Sequence, residues 1–308
     1  MEPPPCGRHS SSHKRSDETI RMSDRARRID LHLHTTHSDG SLPPAAVLAL
    51  AHEANVTALA ITDHDITAGL PEAMKAGAEY GIEVIPGIEI SSRYLEAELH
   101  ILGYFLDWQD PLLSERLAQL RASRHHRNPQ IVQKLQELGL AITYDEVQEL
   151  AGTESVGRPH IARVLMAKGY VSSAKEAFDR YLANGGPAFV PRDLPEPTTV
   201  IQWIREAHGV PVLAHPTWVP ATGSALVTLC EELKSAGLGG IEAHYSSHKP
   251  KQTAEYLQLA QRLDLLVTGG SDFHGLTKPD IDVGTGRGDL KVPEKLLEPL
   301  RLAAEVRG

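Results

Sequence analysis

Seven short apolar runs recur along the chain, and most are followed by a segment with helical patterning; this alternation constrains the fold more than any other feature. The runs cover residues 29–34, 57–62, 84–90, 99–104, 210–214, 240–243 and 265–268. Segments 44–54, 70–80, 198–208 and 252–263 carry apolar residues three to four positions apart, the spacing that lines one face of a helix. Strands alternating with helices favour a parallel sheet with helices outside it. The expectation is an α/β chain whose seven parallel strands close into a β/α barrel.

The rhythm breaks between residues 107 and 194. Helical patterns at 127–138, 144–150 and 160–168 follow one another there without a clear strand, which predicts a helical subdomain inserted into a barrel made of 28–106 and 195–308. Residues 1–27 hold Pro3-Pro4-Pro5 and Ser10-Ser11-Ser12 among scattered charges. They cannot bury apolar surface and lack the apolar stretch of a secretory signal, so they read as a disordered tail.

Composition narrows the function classes. No uninterrupted apolar run nears the ~20 residues that span a bilayer, so no membrane contact is expected. The two cysteines, Cys6 in the tail and Cys230 in a helical pattern, support neither a disulfide framework nor a cysteine metal site and fit a reducing cytoplasm. Formal charge is −9, and residues 1–28 hold seven Lys and Arg against four Asp and Glu, leaving 24 against 36 for the rest. An acidic body argues against a broad surface for long nucleic acid, whose backbone is bound mainly by Lys and Arg. No obligate protein partner is indicated. The anomalous count is 16 histidines.

Their positions are informative. In Asp30-Leu31-His32-Leu33-His34 the two histidines point to one face of a strand, so two imidazoles can grip one cation. Asp39 follows, with Gly40 letting the loop turn back over the strand end. The second run enters Asp63-His64-Asp65, and later runs are interrupted by Glu89, His100 and His215. The last leads into Ser271-Asp272-Phe273-His274, another pair two residues apart. Enzyme barrels carry their chemistry at the carboxyl ends of strands.

Singly, a strand histidine is usually structural and a carboxylate after a strand is often a helix cap. Jointly, His32, His34, His64, His100, His215, His274, Asp39, Glu89 and Asp272 would leave many buried polar groups unpaired unless cations join them, at several kcal/mol each. Two or three divalent metal ions are the economical explanation. A histidine-rich donor set suits Zn, Mn or Fe, whereas Mg prefers oxygen.

These motifs, His32-Leu33-His34, Asp39, Asp63-His64-Asp65, Glu89, His100, Ala214-His215-Pro216 and Ser271-Asp272-Phe273-His274, resemble those of the PHP (polymerase and histidinol phosphatase) family. The resemblance implies a distorted (β/α)7 TIM-like barrel with a trinuclear metal site. It also implies that His32, His34, Glu89 and Asp272 hold one metal, Glu89, His100 and His215 a second, and Asp39, His64 and His274 a third. Asp39 stands where relatives often carry histidine.

Two segments are candidates for substrate contact. Gly157-Arg158-Pro159-His160 opens a helix, where free N–H groups and Arg158 could hold an anion, with His160 beside it; an ordinary capped helix is the equal alternative. The loop His244-Tyr245-Ser246-Ser247-His248-Lys249 offers Ser246 and His248 as donors. Asp65 and His248 are the acid–base candidates, and the Arg124-His125-His126-Arg127 run reads as a solvated helix face. The insert and the Gly-Arg-Pro-His sequence are similar to the branch that removes the 3'-phosphate of nucleoside 3',5'-bisphosphates and trims short RNA from the 5' end. The implied partners are a small phosphorylated nucleotide and short single-stranded RNA. The alternatives are a histidinol phosphate phosphatase and a non-catalytic metal-binding module.

Overall fold

The computed structural model describes residues 27–306; of the tail expected at 1–27, all but Arg27 lies outside them. Seven strands follow in sequence order around one sheet: β1 (Arg28–Leu33), β2 (Val56–Ile61), β3 (Glu83–Tyr94), β4 (Ala97–Tyr104), β5 (Val210–Leu213), β6 (Gly240–Tyr245) and β7 (Leu266–Gly270). The sheet curls into a nearly closed barrel. Leu33 bridges Phe273 in parallel, the His34 N–H donates to the Phe273 carbonyl at 3.0 Å, and the Asp272 N–H donates to the His32 carbonyl at 2.8 Å. This approach needs Gly270, where an added Cβ would lie 2.4 Å from the His32 Cβ.

One expectation fails. β1, β2 and β3 pair in parallel, as do β5, β6 and β7, but β4 runs antiparallel to both its neighbours. The physical reason is chain length. Tyr94 pairs with Ala97 across a two-residue turn, whereas a parallel return needs a crossover of about a dozen residues. Leu95 takes a positive φ of 55° in that turn, the local twist a tight hairpin requires. Because β4 is reversed, its amino-terminal half lies beside the carboxyl ends of the other strands, and this brings His100 to the mouth.

The helices are α1 (Pro44–Glu53), α2 (Leu70–Tyr80), α3 (Pro111–Glu137), α4 (Tyr144–Ala151), α5 (Arg158–Ala167), α6 (Ala174–Ala177), α7 (Pro197–Glu206), α8 (Ser224–Ser235), α9 (Pro250–Arg262) and α10 (Leu297–Glu305). Leu33, Leu59 and Ile61 turn outward and pack against Val47, Leu48 and Leu70 of α1 and α2, each burial contributing about 1.5–3 kcal/mol. That outward burial leaves the alternate strand positions facing inward. Helices α3 to α6 enclose an apolar cluster of their own that includes Ile131, Leu135, Val147, Ile161 and Leu165. Their starts are set locally: Asp110 accepts from the Leu113 N–H at 2.6 Å, and Thr143 and Glu146 form a reciprocal cap. No helix among the described residues is long and apolar enough to cross a membrane.

Candidate metal centre

The inward positions at the barrel mouth converge on the Glu89 carboxylate. Oε1 lies 2.8 Å from both His100 Nδ1 and His215 Nε2. Oε2 lies 3.2–3.3 Å from His32 Nε2, His34 Nε2 and His64 Nδ1. Asp272 Oδ1 sits 3.2 Å from His34 Nε2 and 3.3 Å from His274 Nδ1. Asp39 completes the cluster, with Oδ1 3.2 Å from His274 Nε2 and Oδ2 3.8 Å from His64 Nε2. All nine polar groups singled out in the sequence therefore meet in one place.

The backbone is bent to bring them there. His215 and Asp272 take positive φ values of 25° and 57° at the ends of β5 and β7, conformations that cost about 1–3 kcal/mol apiece and persist only where surroundings enforce them. After β1 the chain folds back so closely that a Cβ on Gly40 would lie 2.6 Å from the His34 carbonyl oxygen. Asp63 fixes that loop by accepting from the Thr35 N–H at 2.8 Å, the Thr35 hydroxyl at 2.6 Å and the Ser38 hydroxyl at 2.5 Å.

A further ring of groups orients the ligands, and the sequence reading missed its main member. Glu242 of β6 faces His32 Nδ1 at 2.9 Å and accepts from the His215 N–H at 2.7 Å. Such a carboxylate fixes the imidazole tautomer, leaving Nε2 to face the cation. The signal was present: Glu242 interrupts an apolar strand as Glu89 does. On the opposite oxygen of Asp272, the Tyr245 hydroxyl donates at 2.7 Å and Lys278 forms an ion pair, so Oδ1 is left to the histidines.

Cations fit this donor set. His32 Nε2 and His34 Nε2 stand 3.1 Å apart, two ring nitrogens aimed at one point. His34 Nδ1 and His64 Nδ1 are buried without a hydrogen-bond partner. Three groups place one donor atom per residue within 4.8 Å of one another: His34, Asp39, His64 and His274; His32, His34 and Asp272; and His64, Glu89 and His100. His34 belongs to two of these groups, a sharing that the resemblance does not imply. Burial opposes charge on His34, but Asp272 and Glu89 outweigh it and push the imidazole up to about 9. Burial likewise opposes charge on Glu89, yet its histidines hold the carboxyl well below the usual range. Four carboxylates, Asp39, Glu89, Glu242 and Asp272, are buried at this one place, and divalent cations would neutralise them while accepting the ring nitrogens.

The other candidates lie elsewhere. Asp65 points away from the cluster into the base of the insert. Its Oδ2 accepts from Arg124 at 2.8 and 3.0 Å and from Arg192 at 3.2 Å, while Ser91 donates to the carboxylate through its N–H at 2.8 Å. Burial opposes the charge, but the two guanidinium groups hold the carboxyl well below its ordinary range. This arrangement does not suit proton transfer. Arg124 and Arg127 are buried, which corrects the expectation of a solvated helix face: the anions they meet, Asp65 and Glu98, belong to the barrel.

Arg158 pairs with Glu98 at 2.6 Å and lies near the Phe178 and Phe189 rings. His160 Nδ1 accepts the Gly157 N–H at 3.0 Å, so this segment forms the ordinary capped helix. Ser246 donates to the Ser271 carbonyl at 2.7 Å, tying the β6 and β7 loops together. His248 donates from Nδ1 to the Ala243 carbonyl at 2.9 Å, and its ring packs between Tyr245 and Tyr256. Asp65, Arg158, His160 and Ser246 are engaged by the protein itself, and His248 through Nδ1, while its Nε2 is buried without a hydrogen-bond partner.

Residues 30–187 match the PHP domain. A 5'-3' exoribonuclease of Haemophilus influenzae is 37% identical over 80% of this chain and 90% of its own length. A 3',5'-nucleoside bisphosphate phosphatase of Chromobacterium violaceum is 34% identical over 83% of this chain and 90% of its own. Among solved structures, an amidohydrolase from Chromobacterium violaceum, determined with bound sulfate and no metal, superimposes with a TM-score of 0.83 at 32% identity. That match covers 91% of this chain and 96% of the other.

Proposed function

The chain belongs to the PHP domain family, and from that membership and the geometry of the centre we propose that it is a metal-dependent phosphatase removing the 3'-phosphate from nucleoside 3',5'-bisphosphates. The observation that carries the reading is the Glu89 carboxylate within 3.3 Å of five histidine nitrogens at a barrel mouth. Two or three divalent cations, Mn, Zn or Fe, are the cofactors that suit this donor set. His32, His34 and Asp272 would hold one, and Asp39, His64 and His274, with His34 beside them, another; Glu89 with His100, His215 and the adjoining His64 would hold the third. Such cations supply neutralisation of phosphoryl charge and acidification of water.

The chain's own residues then divide the remaining work. Glu242 holds His32 in one tautomer and draws in the His215 backbone. Tyr245 and Lys278 aim Asp272. Lys278 also leaves a partly exposed cation beside the centre, suited to an anionic substrate in a protein of net acidic charge. The Haemophilus influenzae relative favours a second use of the same centre, trimming of short RNA from its 5' end.

The test is phosphate release from adenosine 3',5'-bisphosphate with Mn, Zn or Fe supplied, run beside histidinol phosphate. Turnover of the bisphosphate, and not of histidinol phosphate, is expected. The reverse preference would refute the substrate assignment, and no turnover of any phosphoester with metal bound would favour the non-catalytic alternative.

A further inference from the structure

We infer that the exposed indole face of Trp218 is the platform on which the nucleobase of the substrate stacks; the inference rests on the nucleotide reading above and adds to it the residue that recognises the base. Trp218 is 62% exposed, whereas the other two tryptophans, Trp108 and Trp203, pack against the core. A single exposed side chain carries no message by itself; a reason for this one must come from its surroundings.

Its placement supplies one. Trp218 ends the short turn Pro216–Trp218 that follows His215 directly, and His215 reaches Glu89. The turn is held on both sides: the Trp218 N–H donates to the His215 carbonyl at 2.9 Å, and Pro216 and Val219 are buried. The ring is held as well, because its Nε1–H donates to the Tyr245 hydroxyl at 3.3 Å, which in turn donates to Asp272 at 2.7 Å. The Tyr245 ring packs tilted against that of His215, with centroids 5.6 Å apart. An aromatic plane is thus fixed two hydrogen bonds from a carboxylate of the metal centre. A nucleoside whose phosphate occupies that centre must lay its base on the rim.

The indole N–H is already committed, so Trp218 offers a face and no polar edge. Stacking on a face accepts any base, since every base has a π-surface. The platform would therefore separate nucleotides from base-free sugar phosphates without choosing among bases, a property suited to both bisphosphates and RNA ends.

The experiment compares wild type, Trp218→Ala and Trp218→Phe on adenosine 3',5'-bisphosphate and on its abasic analogue, in which hydrogen replaces the base. In Trp218→Ala the preference in kcat/KM for the nucleotide should collapse by roughly five- to a hundredfold, carried by KM, and Trp218→Phe should restore most of it. An undiminished preference in Trp218→Ala overturns the inference. If wild type fails to turn over the bisphosphate, the functional reading falls, and AMP binding then tests the platform alone. AMP should quench tryptophan emission in wild type and leave the emission of Trp218→Phe unaltered. Equal fractional quenching in the two proteins, or none in wild type at saturating AMP, overturns the platform.

Discussion

Replacing Asp65 distinguishes a proton-transfer residue from a structural anchor. Its carboxylate accepts from Arg124 and Arg192, both buried, and from the Ser91 N–H and hydroxyl. Asp65→Ala removes the direct ion-pair partner of two buried guanidinium groups, leaving Glu98 as the anion near them, and breaking a buried ion pair from one side costs about 3–5 kcal/mol. Asp65→Asn keeps an acceptor but removes the charge, and a loss of about 2 kcal/mol is expected. The assay is urea unfolding followed by far-UV circular dichroism, with hydrogen exchange of the α3 amides to detect opening of the insert alone. The pH dependence has a definite sign. The folded state holds this carboxyl below its ordinary range despite burial, because of Arg124 and Arg192. The stabilisation is therefore complete above that range and is lost as pH falls toward the depressed value, so wild type and Asp65→Ala should converge in acid. A destabilisation below about 1 kcal/mol together with a collapse of kcat would refute the anchoring role and restore Asp65 as an acid–base group.

Three further outcomes are expected. Glu242→Gln keeps the shape of the contact to His32 but removes its charge, and metal affinity measured by chelator competition should fall about 10- to 100-fold; unchanged affinity would show that Glu242 does not orient the ligands. Because His34 belongs to two of the three donor groups, His34→Ala should lower bound metal by more than one ion per chain in elemental analysis and abolish phosphate release, and full metal content would contradict the shared position. Cys230 is fully buried and burial pushes its thiol up to about 12. In a Cys6→Ser chain no thiol should therefore react with a disulfide reagent at pH 8 until denaturant is added; rapid labelling of the native chain would show that α8 opens.

What the sequence reveals of this structure depends on whether the signal is local. The barrel was legible because apolar runs and helical patterns repeat at strand and helix periods, and the ligand positions stood out because each places a His, Asp or Glu within or just beyond an apolar run. The reversal of β4 was legible in principle: only eight residues separate the expected third and fourth runs, too few for a crossover. The partners of Asp65 were hidden for a different reason. Asp65 neighbours His64 in sequence, but its partners Arg124 and Arg192 are 59 and 127 residues away, and no local pattern announces such a pairing. For the same reason Arg124 and Arg127 looked like a charged outer face until the barrel's anions were seen opposite them.

The same contacts explain why the insert bears on the chemistry without supplying a metal donor to the cluster. The helical segment grips two barrel loops by their backbone: after β2, Arg121 donates to the Asp65 carbonyl at 2.9 Å and Ser155 to the His64 carbonyl at 2.7 Å, and after β1, Thr153 donates to the His37 carbonyl. His64 needs this support. Its ring lies against Glu89 and Asp39, Nδ1 is buried without a well-directed hydrogen bond, and among the described residues no side chain hydrogen-bonds the ring as Glu242 does that of His32. Its position must then be fixed through its main chain, and the groups that fix it come from α3 and the segment between α4 and α5. The ion pairs of Asp65 and Glu98 with arginines of the insert hold those groups against the barrel. The insert therefore meets the centre as a clamp on the backbone of the loops that carry Asp39 and His64.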